Sequence, residues 1–210
     1  MLKVDHISFD LDATLIDSYS VMNKAWSETM FDLGLAVGFD EYKRYVGLPF
    51  SKIMEQLDLE KIESEIKVLY FEKTKDYADE INEVQGAHDI LEWCKKNKIS
   101  TSIITSKPRA NSKAIISKKN LNVDCLITGD DLKNGKPHPE PGLKVLKKFN
   151  INAENMLYIG DMIFDLQFAQ NLGAHFIHFN NKGKNSLPKN LVNNVNSIAS
   201  LIEIKKITAK

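Results

Sequence analysis

The segment that most constrains the fold is His6-Ile7-Ser8-Phe9 running directly into Asp10-Leu11-Asp12-Ala13-Thr14-Leu15. A β-prone, largely apolar run ends in two carboxylates two residues apart. In extended backbone, side chains at i and i+2 point to one face, so Asp10 and Asp12 look into the same space. A buried strand end has no ordinary use for paired acids. Each carboxylate costs several kcal/mol to desolvate, as an order of magnitude, unless a cation or hydrogen bonds compensate it. Two readings follow: a site for a hard, oxygen-seeking cation such as Mg²⁺, or an Asp-rich turn that caps a helix.

Four further runs resemble that first strand: Ser100–Thr105, Asp124–Thr128, Asn155–Ile159 and Ala174–Phe179. None shows clean in/out alternation, as expected of parallel strands covered on both faces. Helical patterns fall between them, at Ala87–Lys96, Arg109–Lys119, Pro141–Phe149 and Phe164–Leu172. This alternation predicts an α/β fold, a Rossmann-like parallel sheet with right-handed crossovers. Residues 18–83 break the rhythm. They read as helices over Tyr19–Leu33, Glu41–Tyr45, Ser51–Leu57 and Lys61–Ile81, interrupted at Gly47-Leu48-Pro49. The expectation is a core domain of residues 1–17 and 84–210 with an inserted all-helical cap of 18–83. The cap would lie over the carboxyl ends of the strands, where open α/β sheets bind ligands. Trp26, Phe31 and Tyr77 are expected in the core of that cap. Asn180–Asn194 reads as a surface loop, and Ser197–Ile204 as a terminal helix packed on the sheet edge.

Composition narrows the function. The chain is 43% hydrophobic and 27% charged, with a formal net charge of zero, so nothing suggests a nucleic-acid or membrane-surface partner. No apolar run reaches the length of a membrane span. Cys94 and Cys125 lack metal-site spacing and read as buried thiols, which fits a cytoplasmic location.

Three more polar signals follow predicted strands. Thr105-Ser106-Lys107-Pro108 offers hydroxyls near a helix start, suited to a phosphate oxygen or to simple capping. Gly135-Lys136-Pro137-His138-Pro139-Glu140-Pro141 sets a lysine in a proline-stiffened loop. Gly160-Asp161-Met162-Ile163-Phe164-Asp165 resupplies carboxylates at another strand end. His138 reads as a loop histidine.

Taken together, the order and placement of these four motifs resemble the haloacid dehalogenase-like hydrolase superfamily over nearly the whole chain. The family's first motif, DxDGT, appears here as Asp10-Leu11-Asp12-Ala13-Thr14, with Ala13 in place of the common glycine. Within the helical-cap class, Arg44-Tyr45-Val46-Gly47-Leu48-Pro49 and the Thr105 and Lys136 motifs are similar to phosphoglycolate phosphatase-like members, although Ser106 stands where many have asparagine. The resemblance implies a Mg²⁺-dependent phosphatase acting on a small phosphorylated metabolite through an aspartyl-phosphate on Asp10. It implies Asp12 as general acid and base, Asp10, Asp12 (through its carbonyl) and Asp161 as metal ligands, and Asp165 as a further ligand or an orienting carboxylate. Thr105, Ser106, Lys136 and Arg44 would bind substrate, with Thr105 and Lys136 also serving catalysis. Asp12 argues against dehalogenase and ATPase roles. A β-phosphoglucomutase-like phosphomutase and an aspartate-phosphorylated signalling module are the alternatives.

Overall fold

The computed structural model describes residues 2–181, 187, 188, 191 and 195–209. Six parallel strands form the central sheet: β1 (His6–Phe9), β2 (Ser100–Ile104), β3 (Cys125–Ile127), β4 (Met156–Gly160), β5 (His175–Phe179) and β6 (Ser197–Ile198). Their order is β3-β2-β1-β4-β5-β6. β1 lies between β2 and β4, with Phe9 level with Ile103 and Ile159. The chain therefore turns opposite ways on the two sides of β1, and Asp10 leaves the sheet at the switch point, where doubly wound sheets bind ligands. All four β1 residues are buried, as the unalternating pattern requires of a central parallel strand.

Helices α5 (Ala87–Lys96), α6 (Arg109–Lys118), α7 (Glu140–Phe149) and α8 (Ile163–Leu172) flank the sheet. One face of the sheet packs Ile7, Phe9 and Ile103 against Ile90 and Cys94 of α5. The other packs Ile104, Met156 and Tyr158 against Val145 of α7 and Phe168 of α8. Both cysteines are free and buried.

Between β1 and β2 stand α1 (Tyr19–Asp32), α2 (Phe39–Lys43), α3 (Phe50–Gln56) and α4 (Glu63–Asp76). They enclose a core of their own around Trp26, Tyr42, Met54 and Tyr70. Trp26 stacks on Tyr42 with ring centroids 4.2 Å apart. The segments entering and leaving this helical unit, Ile16–Asp17 and Asn82–Glu83, pair as a short antiparallel ribbon.

The structure corrects several expectations. Ser197–Ile204 is not one helix: Ser197 and Ile198 extend the sheet as β6, and a 3₁₀ turn (Leu201–Glu203) leads into α9 (Ile204–Ile207). The strand pairs with His178 and Phe179 of β5, and a His178 ring nitrogen also meets the Ser197 hydroxyl at 2.9 Å. The expected Lys61–Ile81 helix is α4 flanked by 3₁₀ turns at Glu60–Ile62 and Ala78–Glu80. Phe31 is 85% exposed, whereas Trp26 is buried and Tyr77 partly so. Most of the expected Asn180–Asn194 loop lies outside the described residues.

Candidate active site

Asp10 keeps its backbone in the sheet, donating its N–H to the Ile159 carbonyl at 2.8 Å. The chain then turns sharply, with the N–H groups of Leu15 and Ile16 both reaching the Leu11 carbonyl. Ala13 takes a left-handed φ of 58°, where glycine is the natural residue. The turn sets Asp10 and Asp12 side by side, 6% and 9% exposed.

Lys136 reaches this point from a loop 126 residues away. Its ammonium donates to Asp10 Oδ1 and Asp165 Oδ1, both at 2.7 Å, and to the Tyr158 hydroxyl at 3.1 Å. Burial alone would lower its pKa, but the two carboxylates outweigh this and hold it well above its ordinary value.

Asp161 follows β4 and is 2% exposed. The Tyr19 hydroxyl donates to its Oδ2 at 3.1 Å. His178 meets its backbone carbonyl at 3.2 Å and holds the loop from behind. Asp165 is committed differently. Its Oδ2 accepts the N–H groups of Asp161 and Met162 at 3.1 and 3.0 Å, while its Oδ1 accepts Lys136 and Tyr158. With its lone pairs so engaged, it orients Lys136 and the Asp161 loop. This packing also explains Gly160: a Cβ there would lie 2.4 Å from Asp165 Cγ.

Asp10, Asp161 and Asp165 each bring a carboxylate oxygen within 4.8 Å of the others. Three buried carboxylates against one ammonium leave two negative charges, because Asp12 is matched by Lys107 at 3.2 Å. Burial first, then Asp165 and Asp12, push Asp10 up to about 7 despite Lys136. Burial, Asp165 and Asp10 push Asp161 well above the carboxylate range. A compact, oxygen-lined centre with surplus negative charge fits a hard divalent cation.

Thr105 is buried at the end of β2, and its Oγ1 accepts the Lys107 N–H at 3.2 Å, so its hydroxyl hydrogen is left for a ligand. Asp12 Oδ1 accepts the Ser18 hydroxyl at 2.5 Å in addition to facing Lys107. A cavity of about 40 Å³ opens over these groups, walled on the helical side by Met22, Tyr42, Leu48 and Phe50.

The two other expected substrate contacts differ: Ser106 lines the cavity and Arg44 does not. Ser106 donates its hydroxyl to the Gly47 carbonyl at 2.5 Å, tying the loop after β2 to the helical unit. Arg44 is exposed and does not line the cavity. Tyr42 occupies the inward face of α2, and a residue two positions on lies roughly 200° around the helix. Sequence reasoning missed Tyr19, Lys107 and His178. The signal for Lys107 was present in the quoted motif, whereas Tyr19 and His178 lie in patterns that read as ordinary helix and strand.

The comparisons agree with this geometry. The family model for haloacid dehalogenase-like hydrolases matches residues 7–179, and the chain belongs to that family. The chain is thus a hydrolytic enzyme. It is 29% identical over 181 residues to a pyrophosphatase, PpaX, of Bacillus cereus, covering 82% of each chain. It is 26% identical over 192 residues to a phosphorylated carbohydrates phosphatase of Thermotoga maritima, covering 86% of this chain and 89% of the relative. A hydrolase structure from Pseudomonas syringae superposes with a TM-score of 0.85 at 21% identity, covering 97% of each chain. Among the described residues no helix is long and apolar enough to cross a membrane.

Proposed function

We propose that the chain is a Mg²⁺-dependent phosphatase that hydrolyses a small phosphorylated metabolite through an aspartyl-phosphate on Asp10. The observation that carries this reading is the convergence of Asp10, Asp12, Lys136 and Asp161 at one strand switch point. Asp10 is held by Lys136 at 2.7 Å, with Asp161 and Asp165 beside it. Bound through Asp10, Asp161 and the Asp12 carbonyl, Mg²⁺ supplies charge neutralisation for an anionic nucleophile meeting an anionic phosphate.

In the first step an Asp10 oxygen attacks phosphorus and the bond to the leaving oxygen breaks. Asp12 protonates that oxygen as it departs. Asp12 then takes a proton from water, the resulting hydroxide attacks phosphorus, and the Asp10–phosphorus bond breaks to release phosphate. Ser18 fixes Asp12 for both transfers. Thr105 and Lys136 carry charge on the phosphoryl oxygens, where buried donors act most strongly. The helical unit acts as a cap that excludes bulk water, fastened by the Ser106–Gly47 hydrogen bond. The curated relatives named above, one a pyrophosphatase and one a sugar-phosphate phosphatase, support a phosphorylated substrate. The two free thiols support a cytoplasmic location.

The test is phosphate release from p-nitrophenyl phosphate and a metabolite panel, with and without Mg²⁺, for wild type and Asp10→Asn. The expected result is Mg²⁺-dependent release that falls at least about 10³-fold in Asp10→Asn. Isomer formation without release would mark a phosphomutase instead, and release unchanged in Asp10→Asn would remove Asp10 from the mechanism.

A further inference from the structure

The two buried lysines of the site differ in how fully they are used. Lys136 spends its ammonium on Asp10, Asp165 and Tyr158. Lys107, only 8% exposed, faces one carboxylate, Asp12, at 3.2 Å, and lines the cavity. An ammonium has three donors, so Lys107 keeps hydrogen-bonding capacity directed at the cavity. The cap side of the cavity offers no cation to a substrate: its lining there is Met22, Tyr42, Val46, Leu48, Phe50 and other apolar or aromatic groups.

We propose that Lys107 reads the leaving group, binding an anionic group that the substrate carries beyond the scissile bond. The inference rests on the phosphatase reading and narrows its substrate class. A second anion in this cavity has Lys107 as its available counter-charge, because Lys136 is held at the metal-binding side. The space, about 40 Å³, is small, since one water needs about 10–15 Å³ of such volume. A compact space of this kind suits a second anionic group within a few atoms of the transferred phosphorus. It is either the second phosphate of a pyrophosphate or the carboxylate of a short phospho-acid. The apolar wall of the helical unit covers the connecting atoms.

The test compares wild type and Lys107→Met on three substrates: pyrophosphate, phosphoglycolate, and methyl phosphate, whose leaving group is uncharged. The expected result is a 10- to 100-fold fall in the kcat/KM ratio of an anionic substrate to methyl phosphate, carried mostly by KM, as loss of a charge-assisted hydrogen bond predicts to order of magnitude. Sensitivity of one anionic substrate alone supports the proposal and identifies the anion. An equal fall for all three overturns it, leaving Lys107 a role on Asp12 only. Failure of wild type to release phosphate from any of them would count against the phosphatase reading. Binding then decides the question for Lys107 separately. In Asp10→Asn protein with Mg²⁺, adding Lys107→Met is expected to weaken pyrophosphate binding about tenfold and inorganic phosphate much less. Equal weakening of both overturns the proposal.

Discussion

Strand β1 carries two buried polar clusters on one face, four residues apart, and they are built on opposite principles. Toward its start, His6 meets the hydroxyls of Ser100, Ser102 and Ser8 at 2.7, 2.9 and 3.1 Å, and Ser8 meets Ser102 at 2.5 Å. This cluster is neutral, and its members satisfy one another. Burial holds the His6 pKa down at about 4, with Asp124 opposing and Lys148 adding to the shift. Just past the strand's end, Asp10 and its neighbours form a cluster of unbalanced charge, and burial first, then the neighbouring carboxylates, push the Asp10 and Asp161 carboxyls up. Buried polar groups that complete one another support a fold. Buried groups that leave net charge are completed by a ligand.

The comparison breaks most visibly at Lys136. Lys136→Met leaves Asp10 and Asp165 buried and facing each other with no ammonium between them, and is expected to cost about 3–5 kcal/mol in urea unfolding without added metal. Adding Asp10→Asn should recover part of that loss. A single variant as stable as wild type would show that the cluster is not held by charge.

The neutral cluster predicts a pH effect of similar kind and somewhat smaller size. The unfolded His6 ring takes a proton near pH 6.5, but the buried ring does so only near 4. Its contribution is therefore complete above pH 6.5, is lost as pH falls from 6.5 toward 4, and changes little below that. The difference in unfolding free energy between wild type and His6→Gln should shrink by about 3 kcal/mol across that window. A flat difference would mean that the serines accommodate the imidazolium.

The smallest effect lies in the turn that leads from β1 toward the helical unit. Ala13 at φ 58° carries strain that glycine does not. Ala13→Gly should raise stability by about 0.5–1 kcal/mol, or about 2 °C in Tm, after the greater freedom of the unfolded glycine is subtracted. A fall in Tm would show that the alanine methyl packs more favourably than its backbone is strained.

Much of the architecture was legible because it is local. Unalternating apolar runs marked the five longer sheet strands to within a residue or two at either end, and acidic or hydroxyl residues after them marked the loops of the site. Two-residue β6 was not legible. It pairs with the β5 edge, a distant partner that short sequence patterns do not register. Arg44 enters as a substrate contact through its motif's resemblance to phosphoglycolate phosphatase-like members, whereas the inward face of α2 belongs to Tyr42.

By itself, the sequence determined the sheet class, the helical insertion and the set of chemical groups delivered to the strand ends. Those properties follow from periodicity and from the alternation of side chains along extended backbone. Only the tertiary structure decided how the groups are shared. Lys136 is given to Asp10 and Asp165, Lys107 to Asp12, Ser106 to the helical unit, and Asp165 Oδ2 to two backbone amides. The physical reason is that charge pairing is settled by distances of a few ångströms between residues up to 126 positions apart. Strand order and loop path set those distances, and spacing along the chain does not encode them.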